Sequence, residues 1–296
     1  MSILDDLKLQ FRAGDVTMRL IFWNIAFFAV PLIFFGILQL FGIPINFLNY
    51  VSLSSDPGDL LWKPWSIISY AFFHGGILHI LFNLLMLNFV GRLFLTFFTQ
   101  KQLLSLYILG SVFAGFIYIL CYMFFPALAN VNATLVGASA SVMAILFATV
   151  TYAPHMEVRL LLIGTVKLWH IAIVFLILDL IQLPLENTGG HLAHLGGAFF
   201  GYIYIQQLKN GTDIGRWLSN MIDKITNIFS PKKKTPFRKV HKTYQPKPTP
   251  SPTISRIVTK DKAQQQLDEI LDKISQSGYD SLSKEEKEFL FRAGKS

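Results

Sequence analysis

The sequence predicts an all-α, polytopic membrane protein with a polar C-terminal tail. Three observations carry that reading. Of 296 residues, 52% are hydrophobic and only 15% are charged, where a soluble domain carries about a quarter charged residues; mean hydropathy is +0.46. The charges gather towards the two ends of the chain. Between them lie six apolar segments separated by breaks, most of them long enough for a helix to cross a hydrocarbon layer of about 30 Å.

In chain order, residues 1–19 come first. Ile3, Leu4, Leu7 and Phe11 can share one face, as in a helix lying in the membrane interface. No cleavable signal peptide is expected, because no small-residue cleavage site follows the first apolar run directly. From Leu20 to Ser55 there is no charge, which is too long for a single span. Gly42, Pro44 and Asn46 break the run and leave a first helix over Leu20–Phe41. The apolar loop that follows, with Trp62 and Trp65, has the composition of an interfacial belt.

The second helix is expected over Ile77–Thr96, the third over Leu103–Phe125 and the fourth from Ser139 to before Pro154. The fifth is expected over Leu168–Leu183 and the sixth over Leu192–Leu208. The fourth is short for a span, so its N-terminal end should lie below the membrane surface. Lys8, Arg12 and Arg19 precede the first helix, Arg92 and Lys101 separate the second and third, Arg159 separates the fourth and fifth, and Lys209 follows the sixth. The intervening loops are poor in Lys and Arg, Glu186 being the one charge of the fifth. The bias places both termini in the cytoplasm and the start of the fourth helix towards the outside. The expected location is a bacterial inner (plasma) membrane.

Past Lys209 the composition changes. Residues 209–257 read as a basic linker, with Pro231–Pro252 rich in Lys, Pro, Thr and Ser. Residues 258–296 read as a small helical hairpin. Leu267, Ile270, Leu271 and Ile274 keep helical spacing, Gly278 ends that helix, and Ser283 with Glu286 forms a capping box for the next. The division is therefore 1–19, 20–208, 209–257 and 258–296. The formal net charge of +8 lies largely between Lys209 and Lys242, beside the last apolar segment. An anionic lipid surface is the expected partner there, not nucleic acid. The hairpin can dock a partner that nothing in the sequence names. Cys121 stands alone in an apolar run, which excludes an intrachain disulfide and a thiolate metal cluster.

The chemistry centres on Gly137-Ala138-Ser139-Ala140-Ser141, small and polar in apolar surroundings. A hydroxyl in a hydrocarbon-like segment needs a partner, and an ionisable group in a membrane is a functional candidate. His194 precedes Gly197 and Gly201, a G-x-x-x-G pattern that permits close helix approach. Ser139 and His194 thus form a candidate nucleophile and base. His79 and Asn83 are four apart on one helical face, and both carry N–H donors suited to an oxyanion. Each residue also has a bland alternative in interhelical packing or hydrogen bonding. Asp179, in the fifth helix, can orient a histidine or pair within the bundle; a Ser–His pair without an orienting carboxylate is favoured. Ser141 is a rival nucleophile that lacks a glycine two residues before it.

Together these motifs resemble the rhomboid intramembrane serine proteases. The order is Pro64-Trp65, His74 with His79-x-x-x-Asn83, Gly137-x-Ser139, then Ala193-His194-x-Gly196-Gly197-x-x-x-Gly201. The resemblance covers Leu20–Leu208. It implies a six-transmembrane-helix bundle that cleaves transmembrane protein substrates without a metal or other cofactor. Ser139 then matches the nucleophile and His194 the base. His79, Asn83 and the Ser139 backbone N–H match the oxyanion hole, and the fifth helix and loop match the proposed substrate gate. Ala140, Met143 and Ser66 depart from residues common in the family, touching how the pair is held and how the first loop is anchored. None removes a reacting group.

The residues also suggest three other readings. A metalloprotease is suggested by the histidines, but no H-E-x-x-H is present. A catalytically inactive rhomboid-like protein that binds transmembrane helices is opposed by the intact Ser139 and His194. A transporter is disfavoured by the lack of an internal repeat.

Overall fold

The structure, a computed structural model, describes residues 2–161, 163–185, 187–229 and 254–293. The chain divides into two compact units, residues 1–232 and 233–296. Glu186 and the Pro231–Pro252 stretch lie outside the described residues.

The first unit is built of helices. The leading helix α1 (Ile3–Ala13) starts at a Ser2–Asp5 capping box. Asp15 caps the next helix, α2 (Val16–Leu40), by accepting from the Met18 amide at 3.0 Å. After short helical turns in the loop, four longer helices follow: α3 (Ile77–Leu95), α4 (Gln100–Phe124), α5 (Ser139–Tyr152) and α6 (Leu168–Gln182). They lead into α7 (Thr188–Lys209). Helices α2, α3 and α4 are long and apolar enough to cross a membrane, while α5 and α6 are apolar but shorter. With α7 they occupy the six segments expected from sequence. The boundaries differ most at three helix starts; α4 begins at Gln100, before the expected Leu103, because Thr99 caps it. Helix α2 begins earlier because Asp15 supplies its cap. Helix α7 begins at Thr188, a turn before the expected Leu192, and takes His191 into its first turns.

Helix α5 lies at the centre. Nine of its residues, from Ala140 to Thr149, are buried. Small residues let its neighbours close on it. A Cβ on Gly197 or Gly201 of α7 would overlap the backbone carbonyl oxygen of Ala140 or Ala144, and one on Gly110 of α4 would lie 2.7 Å from the Ala144 Cβ. The G-x-x-x-G pattern is thus the α5–α7 contact, and van der Waals packing at backbone distance holds the pair together without help from the hydrophobic effect. By contrast, α2 and α6 turn most of their apolar surface outward. Val30, Ile33, Phe34 and Leu40 of α2, and Val174, Ile177, Leu180 and Ile181 of α6, are exposed, the pattern of helices facing lipid.

The loop between α2 and α3 is folded onto the bundle rather than loose. Tyr70 Oη donates to the Ser111 carbonyl at 2.7 Å, Ser69 Oγ donates to the Val51 carbonyl at 2.7 Å, and Trp65 Nε1 donates to the Tyr50 carbonyl at 2.8 Å. Tyr107 Oη, buried in α4, donates to the Ala71 carbonyl at 2.7 Å and accepts from Asn24 Nδ2 of α2 at 3.2 Å. Buried polar groups are thereby satisfied while three elements are tied together. A two-residue bridge, β1 (Leu53–Ser54) with β2 (Thr134–Leu135), joins this loop to the segment before α5.

The sequence anticipated neither of the remaining local structures. Between α5 and α6 an antiparallel hairpin forms from β3 (Glu157–Leu160) and β4 (Gly164–Lys167), with Glu157 opposite Lys167. Alternation over four residues per strand is too short to separate from a loop in sequence. Within the stretch read as a linker, α8 (Arg216–Phe229) is a helix. It packs on α4, where Ser105 Oγ donates to the Gly215 carbonyl at 3.2 Å and Lys101 pairs with Asp223.

The second unit contains the expected hairpin. Its helices are α9 (Ile254–Ser277) and α10 (Lys284–Ala293). Gly278, at φ +78°, ends the first. Ser283 and Glu286 form the capping box, with the Ser283 N–H donating to Glu286 at 2.7 Å. Lys273 donates to both Glu286 oxygens at 2.9 and 3.0 Å. Lys273 and the Ser283 amide hold the Glu286 carboxyl below its ordinary pKa.

Candidate active site

Ser139 is the first residue of α5. The residue before it, Ala138, offers no side-chain cap, so the first N–H groups of the helix have no side-chain acceptor. The chain reaches this point through Gly137, whose φ of +129° suits glycine. A Cβ there would also lie 2.7 Å from His79 Nε2. Gly137 is therefore required twice, by the backbone turn and by the imidazole beside it. Its N–H donates to the Tyr70 carbonyl at 2.8 Å, which pins the turn to the first loop.

The structure brings the four sequence-derived residues to one place. Ser139 Oγ and His194 Nε2 are 2.7 Å apart, although 55 positions separate them. Asn83 is buried, and its Nδ2 donates to the His79 carbonyl at 2.8 Å, leaving a second amide N–H. Ser139, His194 and Asn83 line two cavities at once. One, about 240 Å³, is mainly apolar, with Phe82, Met86, Val142, Met143, Phe175 and Leu178 in its wall. The other, about 410 Å³, is lined by His79, Thr134, Leu135, Val136, Asn187 and Gly190.

The favoured two-residue arrangement is corrected in one respect: His194 does have a carboxylate. Asp179 Oδ1, from α6, lies 2.8 Å from His194 Nδ1 and 2.7 Å from His191 Nδ1. Asp179 is only 5% exposed, and its Oδ2 has no hydrogen-bond partner. The second histidine on this oxygen, His191, has no role assigned from the sequence. It is buried, three positions before His194, and shares its acceptor. The available signal was the charge of Asp179 within an apolar helix together with the i, i+3 histidine pair. One ligand-type atom from each of Asp179, His191 and His194 lies within 4.8 Å of the others, and the hydrogen bonds of the trio run through Asp179 Oδ1.

Ser141 is not brought to the site. It is fully buried, and its Oγ donates to the Tyr107 carbonyl at 2.8 Å. His74 is buried behind His79, ring centroids 5.2 Å apart, where its Nε2 faces the Ala138 N–H at 3.5 Å. Of the three departures from the family pattern, Met143 lines the apolar cavity, Ala140 is where Gly197 packs, and Ser66 is buried in the first loop.

The model of the rhomboid domain matches residues 61–209, half of the chain. The chain belongs to the rhomboid family. Every element of the site lies inside that match. A separate family of unknown function, DUF6576, matches residues 258–295, the helical hairpin of the tail. Among known proteins, the chain is similar to presenilin-associated rhomboid-like protein A, mitochondrial, of Danio rerio. The two are 30% identical over 138 residues, covering 46% of this chain and 35% of the relative. The chain thus matches about a third of that relative's length. The rhomboid fold and the apolar helices make this a membrane protein. The expected bacterial inner membrane finds no support in the match, since the relative is named mitochondrial.

Proposed function

We propose that this rhomboid is an intramembrane serine endopeptidase that hydrolyses transmembrane protein substrates. The observation that carries the reading is the 2.7 Å contact between Ser139 Oγ and His194 Nε2 at the junction of an apolar and a more polar cavity. His194 takes the Ser139 proton as Oγ bonds the scissile carbonyl carbon. The carbonyl oxygen gains the electron pair and is stabilised by N–H donors from Asn83, His79 and the uncapped start of α5. Collapse of that intermediate breaks the C–N bond, and the leaving amine takes the proton from His194. A water molecule, deprotonated in turn by His194, attacks the acyl-enzyme and restores Ser139. The substrate helix approaches through the apolar cavity walled by α3 and α6, and water through the cavity beneath Thr134 and Asn187. Both termini face the cytoplasm, on the side richer in Lys and Arg.

The test is cleavage of a reporter with one transmembrane helix in proteoliposomes, comparing wild type with Ser139→Ala. Cleavage that is lost in the variant and indifferent to chelator supports the reading. Equal cleavage in both overturns the role of Ser139. Absence of cleavage, together with no labelling of Ser139 by a fluorophosphonate, overturns the enzyme reading in favour of a rhomboid-like binder of transmembrane helices.

A further inference from the structure

Resting on that reading, we propose that Asp179 is a positioning residue which, with His191, fixes the tautomer of His194. A Ser–His pair works only if the imidazole presents a lone pair, not a proton, to the hydroxyl. A neutral imidazole carries one proton, on either nitrogen, and the hydrogen bond at the other nitrogen decides which. Here Nε2 faces Ser139 Oγ at 2.7 Å and Nδ1 faces Asp179 Oδ1 at 2.8 Å. A carboxylate only accepts, so Nδ1 must hold the proton and Nε2 the lone pair. The same argument makes His191 a donor to the same oxygen, at 2.7 Å.

The placement of Asp179 is hard to explain otherwise. It is the one charged residue of α6, buried to 5% exposure, and among the described residues no Lys or Arg pairs with it. Burying a carboxylate without compensation is costly, and its Oδ2 is unpartnered. A carboxylate needed only to attach α6 would be replaceable by a neutral side chain with less desolvation. A tautomer lock is different, because it needs a group that accepts from Nδ1 and cannot donate to it. Once the imidazole has taken the Ser139 proton, the same carboxylate faces a cation, and His191 keeps it aligned between the two rings.

The experiment separates this from the protease reading. Asp179→Asn keeps the shape but adds an amide N–H able to donate to Nδ1, which sends the proton of His194 to Nε2. The full chain in detergent micelles, with 15N-labelled histidine, should show the His194 proton on Nδ1 in wild type and on Nε2 in the Asn variant. Reporter cleavage should fall about 10²-fold or more in kcat with little change in KM, because the lost interaction belongs to the transition state. Wild-type cleavage with the variant unchanged in kcat overturns the assignment while leaving the protease reading intact. If the variant does not fold, wild type decides alone: a His194 proton on Nε2 in the folded wild type overturns the assignment, and one on Nδ1 supports it. A wild type that neither cleaves nor takes a fluorophosphonate overturns the protease reading and this role with it.

Discussion

Replacing Gly197 by Ala tests whether the contact of α5 with α7 sets the Ser139–His194 distance. A Cβ at this position would overlap the Ala140 carbonyl oxygen. That atom is backbone, so no side-chain rotation relieves the clash. An ordinary carbon–oxygen contact needs about 3.3 Å, and the helices must therefore part by about 1 Å. Ala140 follows Ser139 directly, and Gly197 lies about one turn after His194, so most of that separation falls on the 2.7 Å Ser139–His194 contact. Overpacking of this kind costs about 1–3 kcal/mol in stability. A misplacement of about 1 Å costs about 10²-fold in rate. Gly36→Ala in α2 is the control, because nothing lies within 4 Å of its added Cβ. It should leave cleavage unchanged and raise helix stability slightly, by about 0.5–1 kcal/mol. The assay is reporter cleavage in proteoliposomes alongside thermal unfolding in micelles. Gly197→Ala with the cleavage rate and melting temperature of Gly36→Ala would refute the packing argument.

Three further outcomes are expected. Asn83→Ala should lower kcat about 10²-fold, as loss of one oxyanion donor does, with KM little changed in the same assay; a change confined to KM would assign Asn83 to substrate binding. Ser141→Ala should leave fluorophosphonate labelling of Ser139 intact and cost about 1 kcal/mol in thermal unfolding, since its hydroxyl donates to the Tyr107 carbonyl; loss of labelling would contradict that structural role. In the tail, Glu286 has a lowered pKa, so its contribution to the hairpin is present above the ordinary value of 4.5 and fades as pH falls through the lowered one. Hydrogen exchange of the full chain should show α9 and α10 losing protection in acid, and Glu286→Gln should remove that dependence; an unchanged dependence would assign it elsewhere.

How much was legible in the sequence varies with the distance over which each feature is written. The helices were, because apolar runs and their breakers are local: Gly42, Pro44 and Asn46 ended the first span within a residue or two of the observed Leu40. The Ser139–His194 pairing was legible only through motif order, since 55 residues lie between them. Asp179 was seen as ionisable, but its partners lie on another helix, and the choice between His191, His194 and both depends on how α6 rotates against α7. Helix α8 was hidden by composition. Its apolar positions Trp217, Leu218, Met221 and Ile225 keep helical spacing, yet they adjoin a basic, proline-rich stretch that dominates any wider window.

The least enclosed helix of the site carries its carboxylate. Helix α6 buries only Leu168, Ala172 and Asp179; Ile171 and Phe175 pack partly buried against the core, while Val174, Ile177, Leu180 and Ile181 look outward. Two hydrogen bonds from α7 to one aspartate oxygen are thus a polar latch on an element that otherwise packs on the bundle through few apolar side chains. Any outward swing of α6 that widens the apolar cavity also withdraws Asp179 from His194. On the proposed reading, access and chemical competence then depend on one helix in opposite senses: a position of α6 that admits a substrate helix would leave His194 without its carboxylate.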